Sequence, residues 1–292
     1  MPREPSTGGA ATSRHRLSDS GKRAMTALAR ICVQAAFPGR CRHCESFYSE
    51  TAPMGPNHGM EMEPAEYFRR LTAPYLCPDC SRLFESVRSP LCKQCGRPFR
   101  SQHGVDHLCD ECARVPFDFD SARAAGCFSP PMQTLIHLFK YRGCTDLALP
   151  LGCLLWNAMH RFYAIDAIDL IVPVPLHWMR RYRRGFNQAA LLVRQWHSVA
   201  RAQGIALDSG VMDERVLTRR RPTPPQAGLD RRRRAANLKG AFTVPRTGKV
   251  RGKRILLVDD VMTTGATVNA CTKALNLAGA ASVKVLTLAR AA

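Results

Sequence analysis

The feature that most restricts how this chain folds is an apolar run that ends in two carboxylates and a short turn. It reads ILLVDDVMTTGAT and spans residues 255–267. A continuous apolar run is typical of a strand buried on both faces of a parallel sheet. Such sheets bind ligands at the carboxyl ends of their strands, and free amides at the start of the following helix favour a phosphate group there. The stretch therefore predicts a phosphate site.

The residue types in this stretch predict that the phosphate belongs to a sugar. Gly265 allows the backbone to approach closely, and the threonine hydroxyls add donors to phosphate oxygens. The carboxylates of Asp259 and Asp260 suit the two vicinal hydroxyls of a ribose. One alternative is a solvated turn that merely carries an acidic pair. A P-loop nucleotide site is a second alternative, but the chain has no GxxxxGK[ST] pattern.

Strand and helix patterns alternate along the C-terminal part of the chain. Apolar runs predict strands over 122–128, 168–174, 254–258 and 282–288. Helical spacing predicts a helix capped by Ser129 with Pro130 in its first turn, and further helices over 147–162, 186–200 and 266–278. This order predicts an α/β fold with a parallel sheet, preceded by a small irregular module. We expect a disordered tail over 1–30, a cysteine-rich region over 31–115 and the sheet domain over 116–292.

Four Cys-x-x-Cys pairs occupy the predicted cysteine-rich region. This spacing is typical of tetrahedral zinc sites, so eight thiolates predict up to two structural Zn²⁺ ions. Sequential pairing of the motifs is simplest and interleaved pairing stays open, as do an iron–sulfur cluster and redox dithiols. Three histidines are possible substitute ligands (His43, His103 and His107), and five unpaired cysteines are predicted to pack in the core (Cys32, Cys127, Cys144, Cys153 and Cys271). The predicted metal ligands are Cys41, Cys44, Cys77, Cys80, Cys92, Cys95, Cys109 and Cys112.

The chain is strongly basic, with 43 Lys and Arg against 23 Asp and Glu and a formal charge of +20. Residues 180–254 carry 20 of the basic residues and only four acidic ones. Such a field attracts polyanions, although a merely solubilising basic surface is the alternative. The longest apolar stretch, 147–159, is too short to span a bilayer, and no export signal is visible. We therefore expect a cytoplasmic protein without membrane insertion, which fits cysteines used for metal.

Residues 255–267 resemble the phosphoribosyl-pyrophosphate (PRPP) signature of type I phosphoribosyltransferases at every position. The resemblance implies that Asp259 and Asp260 contact the ribose hydroxyls and are the catalytic pair. It also implies that the residues after them surround the 5-phosphate, with Mg²⁺ bound to the pyrophosphate of PRPP. These implied ligand-binding residues are Val261, Met262, Thr263, Thr264, Gly265, Ala266 and Thr267.

Further motifs resemble the ComF family of competence proteins, in matching order from about residue 31 to residue 290. They are the upstream cysteine pairs, KYRG at 140–143, VPVPLH at 172–177, RGFNQ at 184–188, PQAGL at 225–229 and NLKGAF at 237–242. The resemblance implies a double zinc ribbon, a hood over about 120–165 and a core over about 166–292. It also implies a mobile loop over 223–237 with Arg234 as a charge clamp. Candidates for pyrophosphate binding are Arg180, Arg181, Arg183, Arg184, Asn187 and Gln188.

Two functions fit these features. The first is a PRPP-binding phosphoribosyltransferase of the ComF type, linked to DNA uptake, whose partners are PRPP or a nucleotide, single-stranded DNA and competence or recombination proteins. The second is a non-catalytic protein that binds single-stranded DNA and keeps a vestigial phosphoribosyl pocket. The basic 180–254 region fits either function, since phosphate neutralisation supplies sequence-independent affinity. Exposed aromatic residues for base stacking are few in that region.

Overall fold

The computed structural model describes residues 38–49, 61–101, 103–221, 238 and 240–291. The predicted tail, Cys32 and the predicted 223–237 loop with Arg234 lie outside these residues. Within the described part of the chain, no helix has both the length and the apolar character that crossing a membrane requires.

The described elements follow one another as short pieces in the cysteine-rich region and longer ones after it. The strands are β1 (Gly39–Arg40), β2 (Phe47–Tyr48), β3 (Ser121–Cys127), β4 (Leu170–Pro173), β5 (Thr218–Arg219), β6 (Phe242–Thr243), β7 (Arg254–Met262) and β8 (Ser282–Arg290). The helices are α1 (Pro64–Thr72), α2 (Pro78–Arg82), α3 (Asp110–Arg114), α4 (Met132–Tyr141), α5 (Ala148–Phe162), α6 (Trp178–Arg184), α7 (Gln188–Arg194), α8 (Trp196–Ala202) and α9 (Ala266–Leu277).

Four of the strands form one parallel sheet in the spatial order β3-β8-β7-β4. β7 and β8 lie in its centre and are almost entirely buried. Alternate residues of β7 enter two hydrophobic clusters: Leu256 and Val258 pack with α4, α5 and α7, while Ile255 and Leu257 pack with α9. Helices thus cover both faces of the sheet, which explains why these strands are apolar without interruption. The predicted α/β fold with a parallel sheet is confirmed.

Three local features differ from the sequence-based expectation. β7 continues to Met262, because its pairing with β8 continues to the Met262–Arg290 pair, so both carboxylates lie inside the strand. The helix predicted over 186–200 is divided into α7 and α8. The predicted cap of α4 is wrong: the helix begins at Met132 after Pro131, and the Ser129 hydroxyl has no hydrogen-bond partner in the part of the chain that the structure describes.

The cysteine-rich region has no separate hydrophobic core among its described residues. Cys41, Cys77 and Cys80 belong to the cluster on the α4–α5 face of the sheet. The later cysteine pairs belong to the cluster on the α9 face. Each half of the region is therefore built onto one face of the sheet domain, and the domain boundary at 115–118 stays a prediction.

Of the unpaired cysteines, the core-packing prediction is right for two. Cys153 and Cys271 are buried, with 1% and 0% of their surface exposed. Cys127 and Cys144 are half-buried and pack against the edges of core clusters, so the prediction is only partly right for them. Cys127 ends the edge strand β3, and Cys144 lies in the turn after α4, where fewer neighbours cover the side chain.

Candidate ligand pocket and metal centres

The two predicted catalytic carboxylates lie near the carboxyl end of β7, with only Val261 and Met262 after them in the strand. Asp260 is 8% exposed, and Asp259 is half-buried. The amide of Asp260 donates to Oδ1 of Asp259 at 2.9 Å. Nζ of Lys140, in the last turn of α4, lies 2.8 Å from Oδ1 of Asp260. Asp260 therefore has a cationic partner from the predicted hood, and Asp259 does not form an ion pair with it.

The two carboxylates differ in their electrostatic environment. Burial, and then the neighbouring charge of Asp260, raises the pKa of Asp259 to about 7. Lys140, the Asp260 amide and Arg219 oppose this shift but do not cancel it. At neutral pH Asp259 is therefore protonated in part of the molecules, and such a shifted pKa is frequent in functional sites.

Two basic residues near this pair were not predicted as site residues. Lys140 was noted only as part of the KYRG motif, and Arg219 lies on β5 with 9% of its surface exposed. The guanidinium of Arg219 lies over the Phe242 ring at 5.3 Å and is close enough to affect Asp259. The KYRG motif was the one available signal for Lys140. For Arg219 the sequence offered no signal, since it begins a run of three arginines that is typical of a surface.

We call residues 261–267 the phosphate loop; they comprise the end of β7, the turn at 263–265 and the start of α9. Gly265 is the N-cap residue of α9 and has a φ of 76°. A Cβ atom on Gly265 would lie 2.9 Å from the Phe117 ring and 2.9 Å from Cε of Met262. Both the positive φ and these close contacts therefore favour glycine at this position. The first turn of α9 contains no acidic residue. Asp259 and the phosphate loop together line one concave pocket, which brings the predicted carboxylate and phosphate-binding positions into one site.

Arg290, the last residue of β8, holds the phosphate loop in place through hydrogen bonds. Its Nη1 atom donates to the carbonyl oxygens of Thr263 at 2.6 Å and Met262 at 3.2 Å. Its Nε atom donates to the carbonyl oxygen of Cys95 at 3.1 Å. Arg290 is 4% exposed, and sequence reasoning did not identify it.

The predicted pyrophosphate residues lie after β4, the strand beside β7. Asn187 occupies the N-cap position of α7, and its Nδ2 atom donates to the Val174 carbonyl at 3.1 Å. Gln188 is 1% exposed; its Oε1 atom accepts from Arg184 at 3.1 Å, and its Nε2 atom has no hydrogen-bond partner among the described residues. Arg184 also lies over the Tyr141 ring at 4.8 Å. The structure therefore groups Arg184, Asn187 and Gln188 at this edge of the sheet.

The other arginines of this segment lie on α6. Arg181 and Arg183 are exposed. Trp178 and Tyr182, four residues apart on the same helix, are also exposed, at 69% and 87%. Trp196, by contrast, is a core residue, and Phe186 packs against Phe139. Exposed aromatic residues are thus present in the basic region, on one short helix.

The eight motif cysteines form two groups of four. In each group the sulfur atoms lie within 4.8 Å of one another, and the motifs are paired sequentially. The Cys44–Cys77 and Cys95–Cys109 sulfurs are 3.7 and 3.8 Å apart. A tetrahedral zinc with sulfur at about 2.3 Å has ligand–ligand distances of about 3.8 Å. We call these groups the first tetrad (Cys41, Cys44, Cys77 and Cys80) and the second tetrad (Cys92, Cys95, Cys109 and Cys112).

In each tetrad hydrogen bonds favour the thiolate of one cysteine, whereas burial raises the pKa of Cys77, Cys80, Cys95 and Cys112. Amides of Cys95 and Cys109 point at the Cys92 sulfur at 3.5 and 3.4 Å. Although burial raises the pKa of Cys92, these backbone amides outweigh it and lower that pKa to about 6. Hydrogen bonding with Ser46 lowers the pKa of Cys44 to about 6. Sulfurs this close surround a single ion, whereas a multi-iron cluster needs its ligands further apart.

The three histidines considered as substitute ligands have other contacts or stand outside both groups. Nδ1 of His43 lies 2.8 Å from the Thr134 hydroxyl, and the His107 ring stacks on Phe99. His103 is exposed and belongs to neither tetrad. Four thiols complete each described group without them, and this donor set fits Zn²⁺.

A parallel sheet whose central strand carries a carboxylate pair and continues into a glycine-capped phosphate loop defines a phosphoribosyltransferase-type domain. The family profile described as phosphoribosyl transferase domain matches residues 210–292. The chain is also 34% identical over 218 residues to the DNA utilization protein YhgH of Escherichia coli, covering 74% of this chain and 90% of that protein. It is 32% identical over 223 residues to competence protein F of Haemophilus influenzae, again with 74% and 90% coverage. The chain belongs to the ComF family.

A more distant relative extends this assignment. The chain is 26% identical over 219 residues to competence protein ComFC of Bacillus subtilis, covering 74% of this chain and 84% of that protein. The family resemblance inferred from the sequence motifs is thus confirmed.

Proposed function

We propose that this protein binds PRPP with Mg²⁺ in the pocket formed by Asp259 and the phosphate loop. The observation that carries the proposal is that the Asp259 carboxylate and the glycine-capped start of α9 line the same pocket. A helix start binds phosphate through its free amides, and carboxylates accept hydrogen bonds from sugar hydroxyls. A ligand with a phosphate at one end and a ribose beside it satisfies both halves of the pocket.

In this proposal each part of the pocket has one task. Asp259 and Asp260 accept hydrogen bonds from the ribose hydroxyls. The hydroxyls of Thr263, Thr264 and Thr267 and the amides of the phosphate loop, including those of Val261, Met262 and Ala266, surround the 5-phosphate. Backbone amides make these contacts, so the apolar side chains at 261, 262 and 266 do not weaken phosphate binding.

The pyrophosphate end of the ligand is assigned to the edge of β4. The unpartnered Nε2 atom of the buried Gln188 is available as a donor, since a buried donor normally has a partner. Arg184 supplies positive charge and a bidentate donor for phosphate oxygens. Asn187 stands at the start of α7 between them. Mg²⁺ enters with the ligand, because hard oxygen donors from pyrophosphate and carboxylate suit it.

Transfer of the phosphoribosyl group is the activity that this pocket suits. Loss of pyrophosphate leaves positive charge at the sugar, and carboxylates beside the ribose stabilise such charge. Asp259 and Asp260 are the groups placed to do so. A screen of nucleobases and related amines for pyrophosphate release would identify the acceptor.

Binding of PRPP is tested by calorimetric titration in Mg²⁺ buffer. We expect saturable binding by the wild type and none by the Asp259→Asn/Asp260→Asn variant. An Asp166→Asn/Asp169→Asn control removes two carboxylates near the amino end of β4, away from the pocket, and should bind as the wild type does. Equal binding by all three proteins would place the ligand elsewhere.

We also propose that both tetrads hold structural Zn²⁺, which suits a cytoplasmic site of action where thiols stay reduced. Metal analysis of the purified protein should give about two zinc ions per chain and no iron. Fewer than one zinc per chain in folded protein would contradict the assignment.

A second ligand, single-stranded nucleic acid, is favoured by one observation on α6. Trp178 and Tyr182 are exposed beside exposed arginines, and stacking plus phosphate neutralisation is how sequence-independent binding works. The names of the relatives, which refer to DNA utilization and competence, fit a role in handling incoming DNA. The match to the phosphoribosyltransferase profile does not favour a protein whose pocket is only vestigial.

Fluorescence anisotropy with a labelled single strand tests this second ligand. Affinity should fall steeply with salt and fall about tenfold or more in a Trp178→Ala/Tyr182→Ala variant. Leu277→Ala, which removes an equally exposed apolar side chain from the end of α9, is the control and should bind as the wild type does. Unchanged binding by the aromatic variant would exclude α6 as the contact surface.

A further inference from the structure

One buried side chain, that of Arg290, is hydrogen-bonded both to the second tetrad and to the phosphate loop. The Arg290 guanidinium donates to Cys95 on one side and to Met262 and Thr263 on the other, at 3.1, 3.2 and 2.6 Å. All three acceptors are backbone carbonyls. A displacement of the turn that contains Cys92 and Cys95 is therefore transmitted to the loop by a rigid, planar group.

A second bridge runs through Gln94, which lies inside the same turn. Its amide side chain donates to the carbonyls of Phe117 and Phe119 at 3.0 and 3.2 Å and accepts from the Phe117 amide at 3.1 Å. The Phe117 ring packs against the place where a Cβ of Gly265 would be, at 2.9 Å. The cysteine turn thus supports the loop from two directions.

Charge distinguishes Arg290 from an ordinary structural arginine. Among the residues that the structure describes, no carboxylate forms an ion pair with it, although it is 4% exposed. A buried cation without a counter-charge is costly. A Zn²⁺ ion with four thiolates carries a net charge of about −2 and would supply that counter-charge, whereas four neutral thiols would not. The electrostatic environment of Arg290 therefore depends on whether the second tetrad holds metal.

We propose that Arg290 is a positioning residue that couples metal loading of the second tetrad to the order of the phosphate loop, and so to its affinity for phosphate. The first tetrad lies in the cluster on the opposite face of the sheet, and among the described residues no hydrogen bond joins it to the phosphate loop. The ligand part of this inference rests on the proposed PRPP binding, but the order of the loop is measured without any ligand.

Hydrogen exchange of the zinc-loaded protein, followed in peptides that cover 259–267, tests the coupling. In Arg290→Gln we expect exchange in the loop to rise about tenfold while other β7 and β8 peptides change little. Release of zinc from the second tetrad to a colorimetric chelator should also accelerate. Arg290→Lys keeps the positive charge but lacks the planar guanidinium with its several N–H donors. Compared with Arg290→Gln, it should therefore restore slow zinc release but only part of the protection of the loop from exchange.

The matched control is Arg123→Gln. Arg123 donates to the Lys93 carbonyl of the same cysteine turn at 3.0 Å, but within the described structure it forms no hydrogen bond with the loop. It should leave loop exchange unchanged. Equal loop exchange in wild type and Arg290→Gln, or the same increase in Arg123→Gln, would overturn the proposal.

Titration with PRPP and with pyrophosphate alone measures how Arg290 and zinc affect the affinity for ligand. Arg290→Gln should bind about tenfold more weakly than the wild type, with both zinc ions retained. Partial removal of zinc from the wild type should weaken binding in proportion to the metal lost from the second tetrad. A wild type that binds neither ligand, yet whose loop exchange follows zinc and Arg290, would refute the proposed function and support the coupling.

Discussion

Nζ of Lys140 lies 2.8 Å from Oδ1 of Asp260, and this ion pair joins the last turn of α4 to the centre of the sheet. Both side chains are largely buried, with 18% and 12% of their surface exposed. The pair gives Asp260 a counter-charge beside Asp259, whose pKa is raised to about 7 by burial and then by the neighbouring Asp260 carboxylate. Of the two adjacent carboxylates, Asp260 is thus the one held in an ion pair, and Asp259 is the one that lines the pocket.

Replacing Lys140 with methionine should destabilise the fold and weaken ligand binding. The substitution leaves Asp260 buried without a counter-charge, which costs about 2–3 kcal/mol of unfolding free energy. The substitution should also raise the pKa of Asp259 further, because Lys140 lowers that pKa in the wild type. Urea unfolding and PRPP titration measure both effects.

Lys273→Met is the matched control. Its Nζ atom lies 3.6 Å from Asp118 in a pair whose lysine is 62% exposed, so it should cost less than about 1 kcal/mol. A similar loss of stability in the two variants would contradict the importance of the Lys140–Asp260 pair.

Asp259→Asn should stabilise the protein, and the gain should grow with pH. The carboxyl has a pKa of about 7 in the folded protein and about 4 when unfolded, so the unfolded state loses its proton first. The resulting destabilisation of the wild type develops as pH rises from about 4 and is complete above about 7. Melting temperatures of both proteins at pH 4.5 and pH 8 measure the difference, and a gain that is equal at both values would contradict the raised pKa.

Gly265→Ala should destabilise the protein by about 2 kcal/mol or more and abolish phosphate binding. The φ of 76° disfavours any side chain, and the new methyl group would meet Phe117 and Met262 at 2.9 Å. Gly248→Ala is the control, since nothing lies within 4 Å of its Cβ position. Thermal unfolding and PRPP titration of the two variants check this, and equal effects would rule out the loop geometry as the cause.

Cys92→Ser should remove about one zinc ion per chain and lower the melting temperature strongly, because structural zinc contributes directly to folding. Cys153→Ser, at a buried cysteine outside both tetrads, should retain all the zinc. Metal analysis of both variants after gel filtration separates the two outcomes. Full zinc content in Cys92→Ser would contradict the assignment of the second tetrad.

Local patterns were sufficient to predict the apolar part of β7, the turn after it and α9, but not the continuation of β7 to Met262. An apolar run, a glycine turn and a helical repeat follow one another within 25 residues, so no distant contact is needed to recognise them. The cysteine spacing likewise predicted two metal sites, but only the structure chose sequential over interleaved pairing.

Contacts between distant segments were not predictable in the same way. Lys140 meets Asp260 only because α4 and β7 are brought together by the sheet order β3-β8-β7-β4. Arg290 follows an apolar strand at the end of the chain and has the sequence pattern of a surface charge. Its burial depends on the register that pairs it with Met262 and on the cysteine turn packed beneath the loop.

The most direct test of the account is a crystal structure of the zinc-loaded protein with Mg²⁺ and PRPP. The account predicts the 5-phosphate at the amides of the phosphate loop and the ribose hydroxyls within hydrogen-bond distance of Asp259 and Asp260. The pyrophosphate should face Arg184 and Gln188. An empty pocket at saturating ligand, or PRPP bound away from the carboxyl end of β7, would contradict it.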